Sequence, residues 1–252
     1  MQKLSASYIQ RHCGPTACVF EELDSTNAVL KEYARQGAPA FTAVIAAAQR
    51  AGRGRGEHTF FSPKGSGIYF SILLRPENGF APADITATAA VAACDAIEQI
   101  AGERPQIKWL NDIYVRGKKV AGILAEALPT ESGTAVVLGV GVNLLAPKDG
   151  FPPEIAARAG AVLEKSRQRF LRERTVIAFF QSLEKRLRDP SHVYAAYRQG
   201  LFVLGREVSY RGERATVSDV LPDFRLVLSM QDGHTVYLNS GEISLDFGDL
   251  AQ

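Results

Sequence analysis

The sequence predicts an α+β protein: a mixed, mostly antiparallel sheet packed with helices over residues 1–200, then a small all-β barrel over 201–252. Three observations lead there. Strand-like apolar runs mix with two or three helical patterns without strict β-α-β alternation. Two-residue turn signals between the central runs favour antiparallel neighbours. Beyond Gly205 the texture changes to short alternating runs, parted by glycine, proline or aspartate every eight to twelve residues or so.

The elements follow in order. "TACVFEEL" (16–23) is short and rich in β-formers, and in "DSTNAVLKEYARQGA" either Ser25 or Thr26 can cap a helix whose Leu30, Tyr33 and Ala34 share a face. "FTAVIAAAQ" (41–49) and "GIYFSILL" (67–74) read as buried strands on either side of a glycine-arginine loop. From Pro82 to Ile100, the positions Ile85, Ala89, Ala92, Ala93, Ala96, Ile97 and Ile100 keep helical spacing. "IKWLNDIYV", "KKVAGILAEAL" and "TAVVLGVGVNLL" read as three strands with turns at Arg116-Gly117 and Pro129 to Gly133. A second long helix is expected over 167–189, with Phe170, Ile177, Phe180, Leu183 and Leu187 near one face and its charges on a solvated surface.

Composition narrows the function. A formal net charge of +2 with 22% charged residues gives whole-protein attraction to nucleic acid or membrane little basis, so any charge-based function is local. No apolar run has the length of a signal core or a membrane span, which points to a soluble, cytoplasmic protein. Cys13, Cys18 and Cys94 form an odd set that fits reduced thiols, and His12, His58, His192 and His234 lie too far apart to draw a metal cluster.

Both familiar nucleotide-binding glycine templates are absent. "GRGRG" (52–56) is open to three readings: a solvated turn, an arginine-glycine RNA segment, or a loop that closes on a carboxylate or phosphate. The RNA reading calls for repetition, and the segment occurs once. In the third reading the guanidinium forks of Arg53 and Arg55 donate paired hydrogen bonds, and glycine lets the chain wrap a ligand. Lys119 is either a solvated edge device or, since it runs straight into "VAGIL", an ammonium in need of an anionic partner. Trp109 is a core residue by default. "GVGVNLL" (139–145) is a β-bulge with a turn asparagine, or a close backbone approach to a planar ligand.

Singly weak, these segments are specific in their order. "DSTN" (24–27), "AAQRAGRGRG" (47–56), "FSPKGSGIYFSILLRP" (61–76), "KWLNDIYVRGKKVAGILAE" (108–126), "VLGVGVNL" (137–144) and "GEISL" (241–245) together resemble the biotin protein ligases. The likeness runs from about residue 20 to the C-terminus. Leu110 stands where the family's "KWPND" pattern has proline, Phe60 where tryptophan is common, and the loop near His58 is less basic. Bifunctional members carry an N-terminal helix-turn-helix, and the roughly twenty residues before "EELDSTN" are too few for one, so the monofunctional type is expected.

The resemblance implies an ATP-dependent ligase with an SH3-like C-terminal barrel, which activates biotin as biotinyl-5′-AMP and transfers it to a lysine of a biotin carboxyl carrier protein. It implies biotin contacts from Ser25, Thr26, Asn27, Gln49, Arg53, Gly54, Arg55, Lys119 and Gly122. ATP or adenylate contacts fall to Arg53, Arg55, Lys108, Asn111, Asp112, Lys119 and Asn143, with Lys119, Arg53 and Arg55 as the catalytic cations and Asp112 nearest to Mg²⁺. Two anions must meet in such a reaction, so fixed cations and Mg²⁺ in a water-poor site are its main need, and no protein nucleophile is required. No nucleic-acid or membrane partner is expected; a homodimer stays open. The competing readings are a lipoate or octanoate ligase and a non-catalytic biotin sensor.

Overall fold

Strand alternation sets the layers of the molecule. In the computed structural model, which describes residues 3–14, 16–56, 58–76, 82–131, 133–239 and 243, a seven-stranded sheet has the order β1-β2-β3-β7-β6-β5-β4. Its strands are β1 (Ala17–Phe20), β2 (Ala43–Ala46), β3 (Gly67–Leu74), β4 (Gln106–Lys108), β5 (Asp112–Val115), β6 (Lys118–Thr130) and β7 (Gly133–Asn143). Only β1 and β2 pair parallel; every other neighbour is antiparallel. The β5–β6 turn uses Arg116 (φ 49°) and Gly117 (φ 69°), the two positive values a tight hairpin turn demands.

On β7, Val136, Leu138, Val140 and Val142 face one layer, built with α3 (Pro82–Ala101) and α5 (Leu171–Arg188). Every predicted apolar position of α3 is buried, and each fully buried isoleucine there is worth about 1.5–3 kcal/mol of transfer free energy. The opposite face of β7 carries Ala135 and Val137, covered by α2 (Thr26–Arg35) through Leu30 and Ala34. The first turn of α2 reaches as far as Gly139, where Asn27 lies against the strand. Gly139, Gly141 and Asn143 continue the same face and line a cavity.

Several expectations change in detail. "IKWLNDIYV" is not one strand: β4 and β5 are separated by a turn at 109–111, whose Trp109–Leu110 peptide bond is cis. The 167–189 helix begins only at Leu171, because Phe170 takes a left-handed conformation (φ 55°). Its charges are not all solvated: Arg172 and Glu173 are 5% and 4% exposed. An N-terminal helix, α1 (Ala6–Cys13), packs against α5, and Glu173 Oε1 accepts from the Ser5 N–H at 2.9 Å. That helix is silent in the sequence because Ile9 is its sole buried residue. A short α4 (Pro153–Ala156) and α6 (Val193–Gly200), entered through a 3₁₀ turn at Pro190–His192, complete the helices among the described residues. The three cysteines are free, and burial pushes the Cys13 and Cys94 thiols up to about 12.

The C-terminal segment forms β8 (Glu207–Tyr210), β9 (Glu213–Val220), β10 (Leu226–Met230) and β11 (Thr235–Leu238). They make an antiparallel sheet in the order β11-β10-β9-β8, and among the described residues no pair closes it into the expected barrel. Its buried side chains join the main core. Trp109 Nε1 donates to Phe224 O at 2.8 Å, and Tyr197 OH donates to Leu110 O at 2.8 Å, so the turn between β9 and β10 and helix α6 together brace the 109–111 turn. Trp109→Phe removes the first of these bonds and leaves a buried carbonyl unpaired. A loss of about 1–3 kcal/mol is expected in denaturant unfolding, with an unchanged slope.

Candidate active site

The cavity of about 360 Å³ lies over the bare glycine end of β6 and β7. Its walls come from the start of α2, the 49–61 loop, the 108–112 turn, the start of β6 and the segment after β7. All thirteen site residues expected from the sequence line it: Ser25, Thr26, Asn27, Gln49, Arg53, Gly54, Arg55, Lys108, Asn111, Asp112, Lys119, Gly122 and Asn143.

One end is built by the first turn of α2. Ser25 is the N-cap, its hydroxyl accepting from the Ala28 N–H at 3.5 Å. The choice left open between Ser25 and Thr26 therefore falls to Ser25, and Thr26 is freed to face Gln49. Thr26 N–H donates to Gln49 Oε1 at 2.9 Å, and Gln49 Nε2 donates to Ser62 Oγ at 3.0 Å. Asn27 sits directly over β7: a Cβ at Gly139 would fall 2.2 Å from Asn27 Oδ1, and one at Gly141 would fall 2.5 Å from the Phe60 ring. The registers of β3, β7 and β6 run through both glycines without a bulge. Close approach, not a bulge, explains them.

Asn27 Nδ2 donates to Glu126 Oε2 at 2.7 Å, and Lys31 Nζ pairs with Glu126 Oε1 at 2.6 Å. Burial alone would raise the Glu126 pKa; these two hydrogen bonds outweigh it and hold the carboxyl below its usual value. Stability from this group is thus present above the unfolded value of about 4.3 and is lost as pH falls through the lower folded value. Thermal midpoints of the wild type and Glu126→Gln are expected to differ at neutral pH and to converge as the pH is taken below about 4.

The glycine-arginine loop is ordered here as a small hairpin. Arg53 bridges Thr59, Gly54 N–H donates to His58 O at 2.7 Å, and Phe60 N–H donates to Gly52 O at 2.9 Å. A Cβ at Gly52 would lie 2.4 Å from Phe60 O, so the loop closes on itself only with glycine there. Arg55 Nη1 reaches Asn111 Oδ1 at 3.4 Å, and Asn111 Nδ2 donates to Ile123 O at 2.7 Å, tying the loop to the 109–111 turn.

At the middle of the cavity, Lys119 Nζ lies 2.6 Å from Asp112 Oδ1, which is the anionic partner its desolvation called for. Further along, Asn143 Nδ2 donates to Gly160 O at 3.2 Å. Among the described residues, the cationic side chains lining the space are Arg53, Arg55, Lys108, Lys119 and Arg158, against one carboxylate, Asp112. Arg158, Ile155, Ala159 and Tyr114 were not anticipated. The segment after β7 carries no periodic pattern, and it is brought in by backbone bonds from Lys119 N–H to Arg158 O (2.8 Å) and Gly160 N–H to Lys119 O (2.9 Å). Burial pushes the Tyr114 hydroxyl up to about 12, with Asp112 adding to the rise and Arg158 opposing it. Of the C-terminal "GEISL", Ile243 lines the cavity and the other residues lie outside the described set.

Among the described residues no three His, Cys, Asp or Glu side chains form a metal cage. One carboxylate suits a magnesium ion carried in on ATP, because Mg²⁺ is commonly held by one or two carboxylates plus substrate phosphates. No helix of the described residues is long and apolar enough to cross a membrane.

Comparison with known proteins gives a concordant result. Residues 19–143 match the model of the biotin/lipoate A/B protein ligase family. The chain is 30% identical over 240 residues to the biotin–[acetyl-CoA-carboxylase] ligase of Mycobacterium tuberculosis, covering 89% of this chain and 87% of that protein. It is 37% identical over 169 residues to the bifunctional ligase/repressor BirA of Bacillus spizizenii, covering 66% of this chain and 52% of that protein, so it spans about half of that relative's length. The biotin protein ligase of Aquifex aeolicus, solved in complex with biotin and ATP, superposes with a TM-score of 0.74 at 25% identity, over 90% of this chain and 97% of that one. The chain therefore belongs to the biotin/lipoate A/B protein ligase family, with biotin protein ligases as its relatives.

Proposed function

We propose that this chain is an ATP-dependent biotin protein ligase. The observation that carries the reading is the convergence of Arg53, Arg55 and Lys119, from separate elements, on one cavity whose far end offers Thr26 and Gln49. In the first step a carboxylate oxygen of biotin attacks the α-phosphorus of ATP; the bond from that phosphorus to the bridging oxygen breaks, and pyrophosphate leaves with its electrons. In the second, the neutral amine of a carrier lysine attacks the acyl carbon, AMP departs and the nitrogen loses its proton. Biotin's ring occupies the Ser25, Thr26, Asn27 and Gln49 end, and adenine meets Asn143. Lys119 turns from Asp112 to the carboxylate and α-phosphate, and Asp112 becomes available to Mg²⁺. Lys108 and Asn111 stand beside the phosphates, and Gly122 lets the Phe60 ring and the Lys119 stem lie close over β6 where they flank the ligand, a Cβ there falling 3.2 Å from the ring. The acceptor is a biotin carboxyl carrier protein of a biotin-dependent carboxylase.

The loop bearing Arg53 and Arg55 shields the mixed anhydride from water. Arg53→Gly is expected to slow activation less than loss of Lys119 does and to release adenylate into the medium, measured by mass spectrometry of the protein-free filtrate. The reading itself is tested by pyrophosphate release that requires biotin, followed by label on a carrier lysine. No release at saturating biotin and Mg·ATP would leave a binding protein without turnover.

A further inference from the structure

Behind the Thr26 and Gln49 end runs a chain of polar contacts whose far members do not line the cavity. Lys31 Nζ stands 2.6 Å from Glu126 Oε1, and Asn27 Nδ2 lies 2.7 Å from Glu126 Oε2. Ser71 Oγ is 2.5 Å from Asn27 Oδ1 and 2.7 Å from Thr26 Oγ1, and Thr26 Oγ1 is 3.1 Å from Gln49 Oε1. Ser71 is fully buried and Thr26 and Asn27 nearly so, which leaves water little access to the middle of the chain, while Lys31 and Glu126 are partly exposed.

Counting protons gives the chain one direction. An ionised carboxylate only accepts, so Asn27 must turn its NH₂ to Glu126 and its Oδ1 to Ser71. That oxygen has no proton, and the single Ser71 proton goes to it. Ser71 then offers only lone pairs to Thr26, and of the two contacts open to the single Thr26 proton the shorter takes it, 2.7 Å to Ser71 Oγ against 3.1 Å to Gln49 Oε1. With that proton committed, Thr26 Oγ1 and Gln49 Oε1 stand 3.1 Å apart with none between their side chains. Gln49 uses its own NH₂ on Ser62. Gln49 Oε1 already accepts from the Thr26 N–H at 2.9 Å, so each of these adjacent oxygens keeps at least one lone pair for a donor from the cavity.

We propose that Glu126, outside the cavity, is a specificity-determining positioning residue. Through Asn27 and Ser71 it holds Thr26 and Gln49 as acceptors, so this end takes a ring bearing N–H donors, such as the cyclic urea of biotin, and rejects one with none, such as the dithiolane of lipoate. The proposal rests on the biotin-ligase reading. A pocket built to hydrogen-bond its ligand discriminates strongly against an analogue without the partner group, because its buried polar atoms are then left unpaired.

Glu126→Gln separates direction from packing, since it keeps the shape. Lys31 can only donate and captures the one remaining oxygen of the new amide, whose NH₂ then faces Asn27. Asn27 flips, the chain reverses and the Thr26 proton moves to Gln49. Adding Lys31→Met removes the competitor, so the amide oxygen accepts from Asn27 again and the original direction returns. Calorimetric titration of the full chain with biotin and with lipoate, alongside thermal midpoints, reads the result. Glu126→Gln is expected to weaken biotin at least about tenfold and to narrow its preference over lipoate, with most of the biotin affinity recovered in Lys31→Met/Glu126→Gln. Unchanged biotin affinity in the single variant, or a double variant no better than the single, overturns the proposal. Where Glu126→Gln does not fold, Ser71→Ala reads the same chain: it removes the acceptor of the Thr26 proton, and retained wild-type biotin affinity again overturns the idea. Wild-type protein that binds no biotin contradicts the functional reading instead, before any variant is compared.

Discussion

Lys119→Ala is expected to cut biotin-dependent pyrophosphate release by about three orders of magnitude while leaving the thermal midpoint close to wild type. Bringing two unit negative charges to about 4 Å costs roughly 4 kcal/mol at the effective dielectric of a partly buried site, before the charge growing at phosphorus is added. Lys119 lines the cavity, and its ammonium already sits 2.6 Å from a carboxylate, Asp112. Its removal acts twice, since the counter-charge is lost and Asp112 is left facing the incoming anions. The backbone of residue 119 keeps its bonds to Arg158 and Gly160, so the strand and the following segment stay in place. Asp112→Asn in the Lys119→Ala background separates the two effects. If the unpaired carboxylate alone were responsible, the double variant would recover near-normal rates; it is expected to stay slow. Lys119→Arg is expected to fall between, because a planar fork does not replace a compact point charge.

The second large effect is expected from Gly139→Ala. The added Cβ would lie 2.2 Å from Asn27 Oδ1 and 2.9 Å from its Cγ. Asn27 cannot swing aside, because Ser71 and Glu126 hold both ends of its amide. The first turn of α2 must therefore lift from β7 and carry Ser25 and Thr26 with it. Overpacking of this kind costs about 1–3 kcal/mol, and biotin affinity is expected to fall by roughly that amount, up to a hundredfold or so. Asn143, four residues along the strand and about 13 Å away, is untouched, so ATP affinity should change little. Titration with each ligand separately checks the asymmetry; equal losses for both would show that the sheet itself, not the α2 contact, had been disturbed.

The parts of this molecule legible from sequence are those where a local pattern meets a buried face. Gly67–Leu74 reads as a strand because six of its eight residues are β-forming or large apolar side chains between turn signals, and all eight are buried. The helix from Pro82 reads at once from its alanine and isoleucine stripe. What stayed hidden depends on partners distant in the chain. Arg172 and Glu173 look solvated on a charged helix, yet both are buried, Glu173 against the Ser5 N–H at the start of α1, and α1 itself has one buried residue to announce it. Arg158 and Ala159 reach the cavity only through backbone bonds to Lys119, across a segment with no period. In the sequence Glu126 is only the last residue of "KWLNDIYVRGKKVAGILAE"; its grip on Asn27 spans 99 residues. The cavity residues themselves were found by order of motifs, since no single one of them exceeded its ordinary explanation.

The central claim is that cations from one loop and one strand converge so that two anions can react. A crystal structure with biotin and a non-hydrolysable ATP analogue tests it most directly. It should show Arg53, Arg55 and Lys119 within hydrogen-bonding reach of the biotin carboxylate and the α-phosphate, with the biotin ring against Thr26 and Gln49. Either ligand bound elsewhere, or those three side chains turned to bulk solvent, would contradict it.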